Sequence, residues 1–401
     1  MVQPSSVRAG TPIDPAVFVM LQDDRGNVVT DSAVTITVAL TGGAGGAALG
    51  GALTRTTSKG VAMFANLTVD SAGVGYALRA TAGDLTSATS SGLTITPLEA
   101  AAVYVHLESE AGDYIGAGQK YSYVPESAIF AATATGNHLT LTITGAQSWV
   151  GEFQGPSSQT QLTPGDYTGL QRYPFNDPAQ GGLSWYGEGR GCNTLAGSFV
   201  IDSVAYVGDS LTAIDLSFEQ HCEGGTAALR GAVHWRAGVP SIPSGPVYPV
   251  PAGLWRPAAG STPASGNFVY FQSDTGDFIG GGGTFTYTPQ NATITVTSDS
   301  NTVSIRVFGD EMWAGGLRTM VGVSPVQPGF YSDLARVGFH NPMKGGFGFS
   351  AGSRGCNTLI AWAAIDHIVY TDGTLSALDL RFEQHCEVGV PALRGMIHWS
   401  S

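Results

Sequence analysis

Residues 190–235 read RGCNTLAGSFVIDSVAYVGDSLTAIDLSFEQHCEGGTAALRGAVHW, and residues 354–399 repeat this stretch as RGCNTLIAWAAIDHIVYTDGTLSALDLRFEQHCEVGVPALRGMIHW. The two copies are identical at 26 of 46 positions, with no insertion or deletion. The match continues upstream at the same offset of 164 residues, and gives 50 identities over the 132 positions that begin at Tyr104 and Phe268. The chain therefore contains a tandem duplication, and the second half of each repeat has changed least.

The local pattern predicts an all-β chain. Each repeat contains short segments such as KYSYV, LTLTITG and LTAIDLSFEQ, which alternate apolar with polar residues and are rich in β-branched and aromatic side chains. No long window keeps a helical period with helix caps. We expect two tandem β-sandwich or jelly-roll modules over residues 101–236 and 267–401, each with one disulfide, and an immunoglobulin-like β-sandwich over residues 1–98.

Two resemblances support this division. At GNVVT, GVAMFANLTV and GYALRATAG, the first 98 residues resemble the bacterial immunoglobulin-like repeats of large surface and secreted proteins, which implies a spacer fold. The block RGCN…FEQHCE…ALRG resembles a module of uncharacterised bacterial secreted proteins, which implies a location but no activity. Both resemblances imply a secreted or cell-surface protein, in which this chain is joined to further domains or attached to a surface.

A proline-rich segment, residues 237–266, separates the two repeats. Its prolines at 240, 243, 246, 249, 251, 257 and 263 favour an extended chain. We expect a semi-rigid spacer that proteases cut first. The alternative is that Val247, Tyr248 and Trp255 dock on a neighbouring unit.

Composition excludes several partners. Charged residues make up 12% of the chain and the formal net charge is −13, which argues against nucleic acid or an anionic membrane as the main partner, since both recruit basic patches. No apolar run of about 18 residues predicts a membrane span. The first residues, VQPSSVRAG, lack the basic start and apolar middle of a signal peptide, so we expect an export signal, if present, to lie outside this sequence.

The four cysteines predict two disulfides. Cys192 and Cys222, like Cys356 and Cys386, are 30 residues apart and flank two strands joined by a short turn. If the turn centres near residue 209, the hairpin brings Cys222 opposite about Ala196, close enough to Cys192 for a bridge. An even number of cysteines without a CxxC motif indicates oxidising surroundings.

The alternative at the same motif is a metal or thiol site built from Glu219, His221 and Cys222. Residues 219 and 221 share one face of a strand and residue 222 points to the other, so the three do not readily converge. We also expect Arg190 to pair with Glu219, and Arg354 with Glu383, unless the arginines hold a ligand carboxylate or sugar hydroxyl.

The ligand-binding candidates lie in the loop-rich, more divergent half of each repeat, where specificity usually resides. They are Trp149, Arg172 and Arg190 in the first copy, and Trp313, Arg336 and Arg354 in the second. We expect exposed tryptophans beside arginine, able to stack on sugar rings, although core packing is the alternative. Asp113 and Asp277 are weak candidates for calcium ligands, and a turn capped by the Asp side chain is the alternative.

These patterns favour a non-catalytic extracellular protein that attaches to glycans or to a cell-surface protein. Duplicated modules on one chain gain avidity without new contacts. A structural spacer or filament subunit is the alternative. A polysaccharide-active enzyme ranks third among the hypotheses, because the sequence shows no defensible catalytic constellation. It also shows no cofactor motif beyond the weak calcium candidates.

Overall fold

The computed structural model describes residues 3–43, 45–387 and 389–401. Within these ranges the chain is built of β-strands and one short 3-10 helix, Leu98–Ala100. No helix there has the length and apolar character needed to cross a membrane. The strands are β1 (Val7–Arg8), β2 (Val17–Met20), β3 (Thr35–Gly42), β4 (Leu49–Gly50), β5 (Thr54–Thr56), β6 (Val61–Phe64), β7 (Thr68–Val69), β8 (Gly73–Thr81), β9 (Ala88–Thr89), β10 (Leu93–Thr96), β11 (Tyr104–Ser109), β12 (Lys120–Tyr123), β13 (Ile129–Thr135), β14 (His138–Thr144), β15 (Ser148–Gln154), β16 (Gly165–Arg172), β17 (Gly182–Gly187), β18 (Leu195–Val207), β19 (Ser210–Cys222), β20 (Leu229–Arg236), β21 (Phe268–Ser273), β22 (Thr284–Tyr287), β23 (Thr293–Asp299), β24 (Thr302–Phe308), β25 (Met312–Arg318), β26 (Gly329–Arg336), β27 (Gly346–Ala351), β28 (Leu359–Thr371), β29 (Thr374–Cys386) and β30 (Leu393–Ser400).

The first unit, β1 to β10, is a small two-layered sandwich. One layer is a six-stranded sheet in the order β1-β10-β8-β3-β5, with β9 also paired to β8. The antiparallel pair β2-β6 lies in the other layer. Alternating apolar residues such as Val38, Phe64 and Leu78 are buried between the layers, as a half-buried strand pattern requires.

Each repeat is one ten-stranded sheet that curls around a single core. The order in the first repeat, called repeat 1, is β12-β11-β20-β19-β18-β16-β17-β15-β14-β13. Repeat 2 has the same order, β22-β21-β30-β29-β28-β26-β27-β25-β24-β23. Strands far apart in that order meet in the core, where Phe153 of β15 contacts Phe218 of β19 with ring centroids 5.7 Å apart. The all-β fold class with tandem modules is therefore confirmed.

A hairpin of two 13-residue strands, β18 and β19, forms the least divergent part of repeat 1. Leu195 lies opposite Cys222, so the expected register is correct to within one residue. Cys192 and Cys222 form a disulfide with their Cα atoms 5.1 Å apart, and Cys356 and Cys386 do the same in repeat 2. Both predicted disulfides are confirmed, and the alternative of a thiol-metal site at these cysteines is wrong.

The proline-rich segment contacts both repeats, as the docking alternative expected. Ser241 Oγ donates to the carbonyl of Ala128 in repeat 1 at 2.8 Å. Val247 pairs with Phe330 of repeat 2 through two backbone hydrogen bonds of 2.9 Å. Of the docking candidates, Val247 and Trp255 pack against buried residues and Tyr248 is exposed. The segment therefore connects the two repeats along their surfaces.

The first unit packs on repeat 2 through an apolar docking cluster. The cluster consists of Ala16, Phe18 and Ala65 of the first unit, Leu254 of the proline-rich segment, and Phe330, Trp362 and Ala364 of repeat 2. Phe18 meets Phe330 edge to face, with ring centroids 5.1 Å apart. The positions equivalent to Phe330 and Trp362 in repeat 1 are Asp166, which is exposed, and Ser198. At these two positions repeat 2 presents apolar side chains to another unit, and repeat 1 has polar ones.

Candidate functional site

Trp149 and Trp313 are core residues, so the expectation that they are exposed is wrong. Their exposed fractions are 1% and 0%. Trp149 Nε1 donates to the hydroxyl of Tyr123 at 2.7 Å, and Trp313 Nε1 donates to the hydroxyl of Tyr287 at 3.0 Å. Both lie on β-strands whose alternate residues face the core, which carries their rings away from any ligand.

Arg190 and Arg354 anchor a loop and do not pair with the glutamates expected from sequence. Arg190 Nε donates to the carbonyl of Ile115 at 2.7 Å, and its guanidinium lies over the Trp149 ring at 5.9 Å. Arg354 makes the equivalent bond to Ile279 at 2.7 Å and also pairs with Glu311.

The expected glutamate partners pair elsewhere. In repeat 1, Glu219 pairs with Arg230 at 2.5 Å, and Arg230 also reaches Glu110 at 2.6 Å. The predicted Arg190–Glu219 and Arg354–Glu383 ion pairs are therefore wrong. Arg230, and not Arg190, lies beside Glu219 because β19 and β20 are neighbouring strands that place residues 219 and 230 opposite each other.

The two aspartates considered for calcium cap turns. Asp113 is buried and its carboxylate accepts hydrogen bonds from Ser109 Oγ and from the Gly116 amide, both at 2.7 Å. Asp277 accepts from Ser273 Oγ at 2.7 Å and from the Gly280 amide at 2.8 Å. Among the described residues, no group of three or more His, Cys, Asp or Glu side chains is arranged to hold a metal ion. The geometry matches the alternative of a capped turn.

Arg172 and Arg336 lie at the surface, each beside a phenylalanine that the sequence reasoning did not select. Arg172 lies over the ring of Phe175 at 5.0 Å, and Arg336 lies over the ring of Phe339 at 5.3 Å. Phe175 is 74% exposed and Phe339 is 77% exposed. The available signal was their identity at the 164-residue offset, within the half of the repeat that has otherwise diverged.

A groove of about 390 Å³ in repeat 1 brings two of the predicted arginines together. We call it the repeat-1 groove. The side chains that line it are those of Glu152, Arg172, Tyr173, Pro174, Ser184, Tyr186, Arg190 and Cys192. Arg172 ends β16, Tyr186 lies near the end of β17, and Arg190 follows in the loop that leads to the disulfide. The parallel contact between β16 and β17 brings these three residues to one end of the sheet.

In the repeat-1 groove the carboxylate has hydrogen-bond partners, whereas the two arginines have no carboxylate partner among the described residues. Glu152 accepts hydrogen bonds from His138 Nε2 and Thr140 Oγ1, both at 2.8 Å. Arg172 donates to the carbonyl of Asn193 at 3.2 Å. Within residues 3–43, 45–387 and 389–401, neither Arg172 nor Arg190 lies within ion-pair distance of a carboxylate. The two guanidinium groups therefore retain donors that a ligand can use.

The tyrosines of the groove are partly buried. Burial raises the pKa of Tyr186, and the nearby charge of Glu152 adds to the effect. Tyr173 stacks on the imidazole of His138, with ring centroids 4.3 Å apart. The stacking contact holds the Tyr173 ring in place, and the Tyr186 hydroxyl remains protonated at neutral pH as a hydrogen-bond donor.

Repeat 2 has lost most of this groove. Gly316, Val337 and Ser350 occupy the positions of Glu152, Tyr173 and Tyr186. Arg354 is neutralised by Glu311, where repeat 1 has Gln147. The two repeats therefore share a fold and one Arg–Phe pair, but only repeat 1 keeps the polar and aromatic lining.

A buried ionic cluster in repeat 2 is expected to lose its stabilising effect in acid. Glu383 pairs with Arg394 at 2.5 Å and His385 at 3.0 Å, and its side chain is only 8% exposed. Burial alone would raise the pKa of Glu383, but Arg394 and His385 outweigh it and lower the pKa to about 2. The folded-state pKa lies below the ordinary value of 4.5, so the stabilisation is present above pH 4.5 and is lost as the pH falls toward 2.

We expect repeat 2 to lose about 3 kcal/mol of unfolding free energy over that pH range. Urea denaturation between pH 6 and pH 2.5 measures the loss, and Glu383→Gln should flatten the pH dependence. Glu219→Gln in repeat 1 is the matched control, because the side chain of Glu219 is 40% exposed. Equal flattening by both variants would contradict the assignment to the buried cluster.

Comparison of the chain with protein-family models, curated proteins and solved structures found no match.

Proposed function

We propose that this chain is an extracellular, non-catalytic binding protein that attaches to glycans through the repeat-1 groove. The observation that carries the proposal is that two arginines without carboxylate partners among the described residues, Arg172 and Arg190, line the groove with Tyr186. The exposed ring of Phe175 lies beside Arg172, outside the groove lining. Guanidinium groups donate to sugar hydroxyl and carboxylate oxygens, and aromatic rings stack on sugar rings. A groove with a few convergent polar groups is the usual form of a small-ligand site.

The disulfides support an extracellular location. Disulfides persist in oxidising compartments and are rare in the cytosol. The resemblance of the first unit to the immunoglobulin-like repeats of surface and secreted proteins agrees with this. A cell-surface protein carrying glycans is therefore the partner that we propose.

The lining favours binding over hydrolysis. Glycoside hydrolysis uses two carboxyl groups flanking the scissile bond. The described lining of the repeat-1 groove contains one, Glu152, and its carboxylate already accepts hydrogen bonds from His138 and Thr140. We therefore assign Glu152 the role of positioning neighbouring donors.

Arg172→Ala is expected to weaken glycan binding about tenfold or more, because it removes charged hydrogen-bond donors worth roughly 1.5–3 kcal/mol. The melting temperature should stay nearly unchanged, since Arg172 donates to only one backbone carbonyl. Binding is measured by screening a polysaccharide array and then titrating the best ligand by calorimetry.

Arg336→Ala is the matched control, because it removes the equivalent arginine from the repeat that lacks the rest of the groove. A wild-type protein that binds nothing on the array, or an Arg172→Ala variant with unchanged affinity, would contradict the proposal. Shortened or unsaturated sugar products in the same mixtures would instead support a polysaccharide-active enzyme.

A structural role is the second candidate, and the docking cluster favours it. The first unit does not extend from the repeats as a separate domain but packs on repeat 2 through Phe18 and Phe330. Such an arrangement suits a subunit that must hold its parts at set positions. A chain that binds no glycan but assembles into ordered filaments would favour this function.

A further inference from the structure

A cavity of about 1110 Å³ lies where the first unit, both repeats and the proline-rich segment meet. We call it the junction cavity. Its walls are β1 and the following loop, the edge strand β12 of repeat 1, residues 244–247, and the start of β26 in repeat 2. Ligand sites occur preferentially at domain interfaces, and this volume lies slightly above the usual range of roughly 300–1,000 Å³.

Direct contacts between the units keep the walls in place. Lys344 of repeat 2 forms an ion pair with Asp14 of the first unit. Gly10, at φ 74°, lies so close to repeat 1 that a Cβ atom there would come within 2.6 Å of Ser122 Oγ. The cavity is therefore a built space between packed units, with its shape set by contacts on three sides.

The charged side chains around the junction cavity balance. The basic residues that line it are Arg8, Lys120 and Lys344, and the acidic ones are Asp14, Glu126 and Asp333. Three charges of each sign give no net attraction for a strongly charged ligand. The remaining lining includes amide side chains such as Asn66, Gln119 and Gln147, which both donate and accept hydrogen bonds. This composition suits a neutral ligand with many hydroxyl groups.

Asp333 is the most informative residue of the lining. Its φ is 57°, a left-handed conformation that is uncommon for residues other than glycine, and the equivalent residue of repeat 1 is Gly169, at φ 67°. In the described part of the chain, no group donates a hydrogen bond to the Asp333 carboxylate. Burial raises the pKa of Asp333 to about 6, with Lys344 acting in the opposite direction and Asp14 adding to the rise.

Docking of the first unit on repeat 2 does not explain why position 333 is an aspartate. Lys344 already pairs with Asp14, and among the described residues Asp333 forms neither an ion pair nor a side-chain hydrogen bond with the first unit. Glycine would adopt the same backbone conformation without strain. A strained residue whose polar group faces a cavity is a recognised indication of function.

We propose that the junction cavity is a second binding site, which takes a neutral, hydroxyl-rich saccharide and presents Asp333 as the acceptor for its hydroxyl groups. This site is separate from the repeat-1 groove. It exists only in the assembled chain, because three units and the proline-rich segment supply its walls.

The test uses the full chain and three neutral probes, cellohexaose, maltohexaose and xylohexaose, each titrated by calorimetry. We expect at least one to bind the wild-type protein. Asp333→Gly should weaken that binding about tenfold or more while leaving the melting temperature unchanged or raised, since glycine relieves the strained conformation. Asp333→Asn, which tolerates the same φ, should also weaken it. Arg172→Ala reports on the repeat-1 groove, and Val369→Ser, which lies outside both sites, is the control that should leave the binding unchanged.

Three results would overturn the inference. The first is that none of the probes binds the wild-type protein. The second is that Asp333→Gly and Asp333→Asn both lower the melting temperature, which would make Asp333 a structural contact. The third is that Arg172→Ala abolishes binding while both Asp333 variants retain it. That result would place the saccharide in the repeat-1 groove and support the proposed function alone.

Discussion

Trp149→Ala and Trp313→Ala are each expected to lower the unfolding free energy of their repeat by about 3–5 kcal/mol, the usual cost of truncating a buried aromatic side chain. Both indole rings are fully enclosed. Phe271 stacks on Trp313 with ring centroids 4.3 Å apart, and Tyr121 meets Trp149 edge to face at 5.2 Å. Each substitution also removes the indole N–H that donates to a buried tyrosine hydroxyl.

Urea denaturation of the full chain, followed separately for the two repeats by hydrogen exchange, measures this loss. Phe175→Ala is the matched control in repeat 1, because it removes an aromatic ring of similar chemistry that is mostly exposed. A loss of stability no greater than that of the control would mean that Trp149 is not a core residue.

Replacing the repeat-2 docking residues by their repeat-1 equivalents, Phe330→Asp with Trp362→Ser, is expected to release the first unit. Burial of a large apolar side chain contributes about 1.5–3 kcal/mol, so the pair accounts for roughly 3–6 kcal/mol of docking. The introduced aspartate would also be buried against Phe18 without a partner. The fold of repeat 2 should survive, since repeat 1 carries the same two residues on the same strands.

Small-angle X-ray scattering should show a larger radius of gyration, and proteases should then cut within residues 237–266. Val369→Ser is the control, because Val369 lies on the same strand, β28, but outside the docking cluster. An unchanged scattering profile would show that the first unit is held by other contacts, such as the Asp14–Lys344 ion pair.

Local features were predictable from the sequence. The cysteine pairs lie at the open end of a hairpin, and hairpin register follows from the position of its turn, so Cys192 and Cys222 could be paired with an error of one residue. The all-β class follows from residue alternation that many strands show, such as His138–Thr144 and Thr302–Phe308. Both depend on neighbours that are close in sequence.

Contacts between distant segments were not predictable in the same way. Arg190 bonds to the carbonyl of Ile115, a partner 75 residues away that has no side-chain signal. The alternation of residues places Trp149 on one face of its strand, but it does not show whether that face packs in the core or lies in solvent. The sequence contains one signal of the docking cluster, because Phe330 and Trp362 occupy positions where repeat 1 has polar residues. An unexplained apolar difference between two copies therefore indicates a contact that only one copy makes.

The docked proline-rich segment determines how the two Arg–Phe pairs can act together. A flexible tether lets two sites sample many separations, so that a second site binds partners of varied length at a modest effective concentration. Here the segment is bonded to Ala128 in repeat 1 and to Phe330 in repeat 2, which sets one separation between Phe175 and Phe339. Under the proposed function, a polymer bound in the repeat-1 groove reaches the Arg336–Phe339 pair only when its length matches that separation, and a shorter oligosaccharide contacts the groove alone.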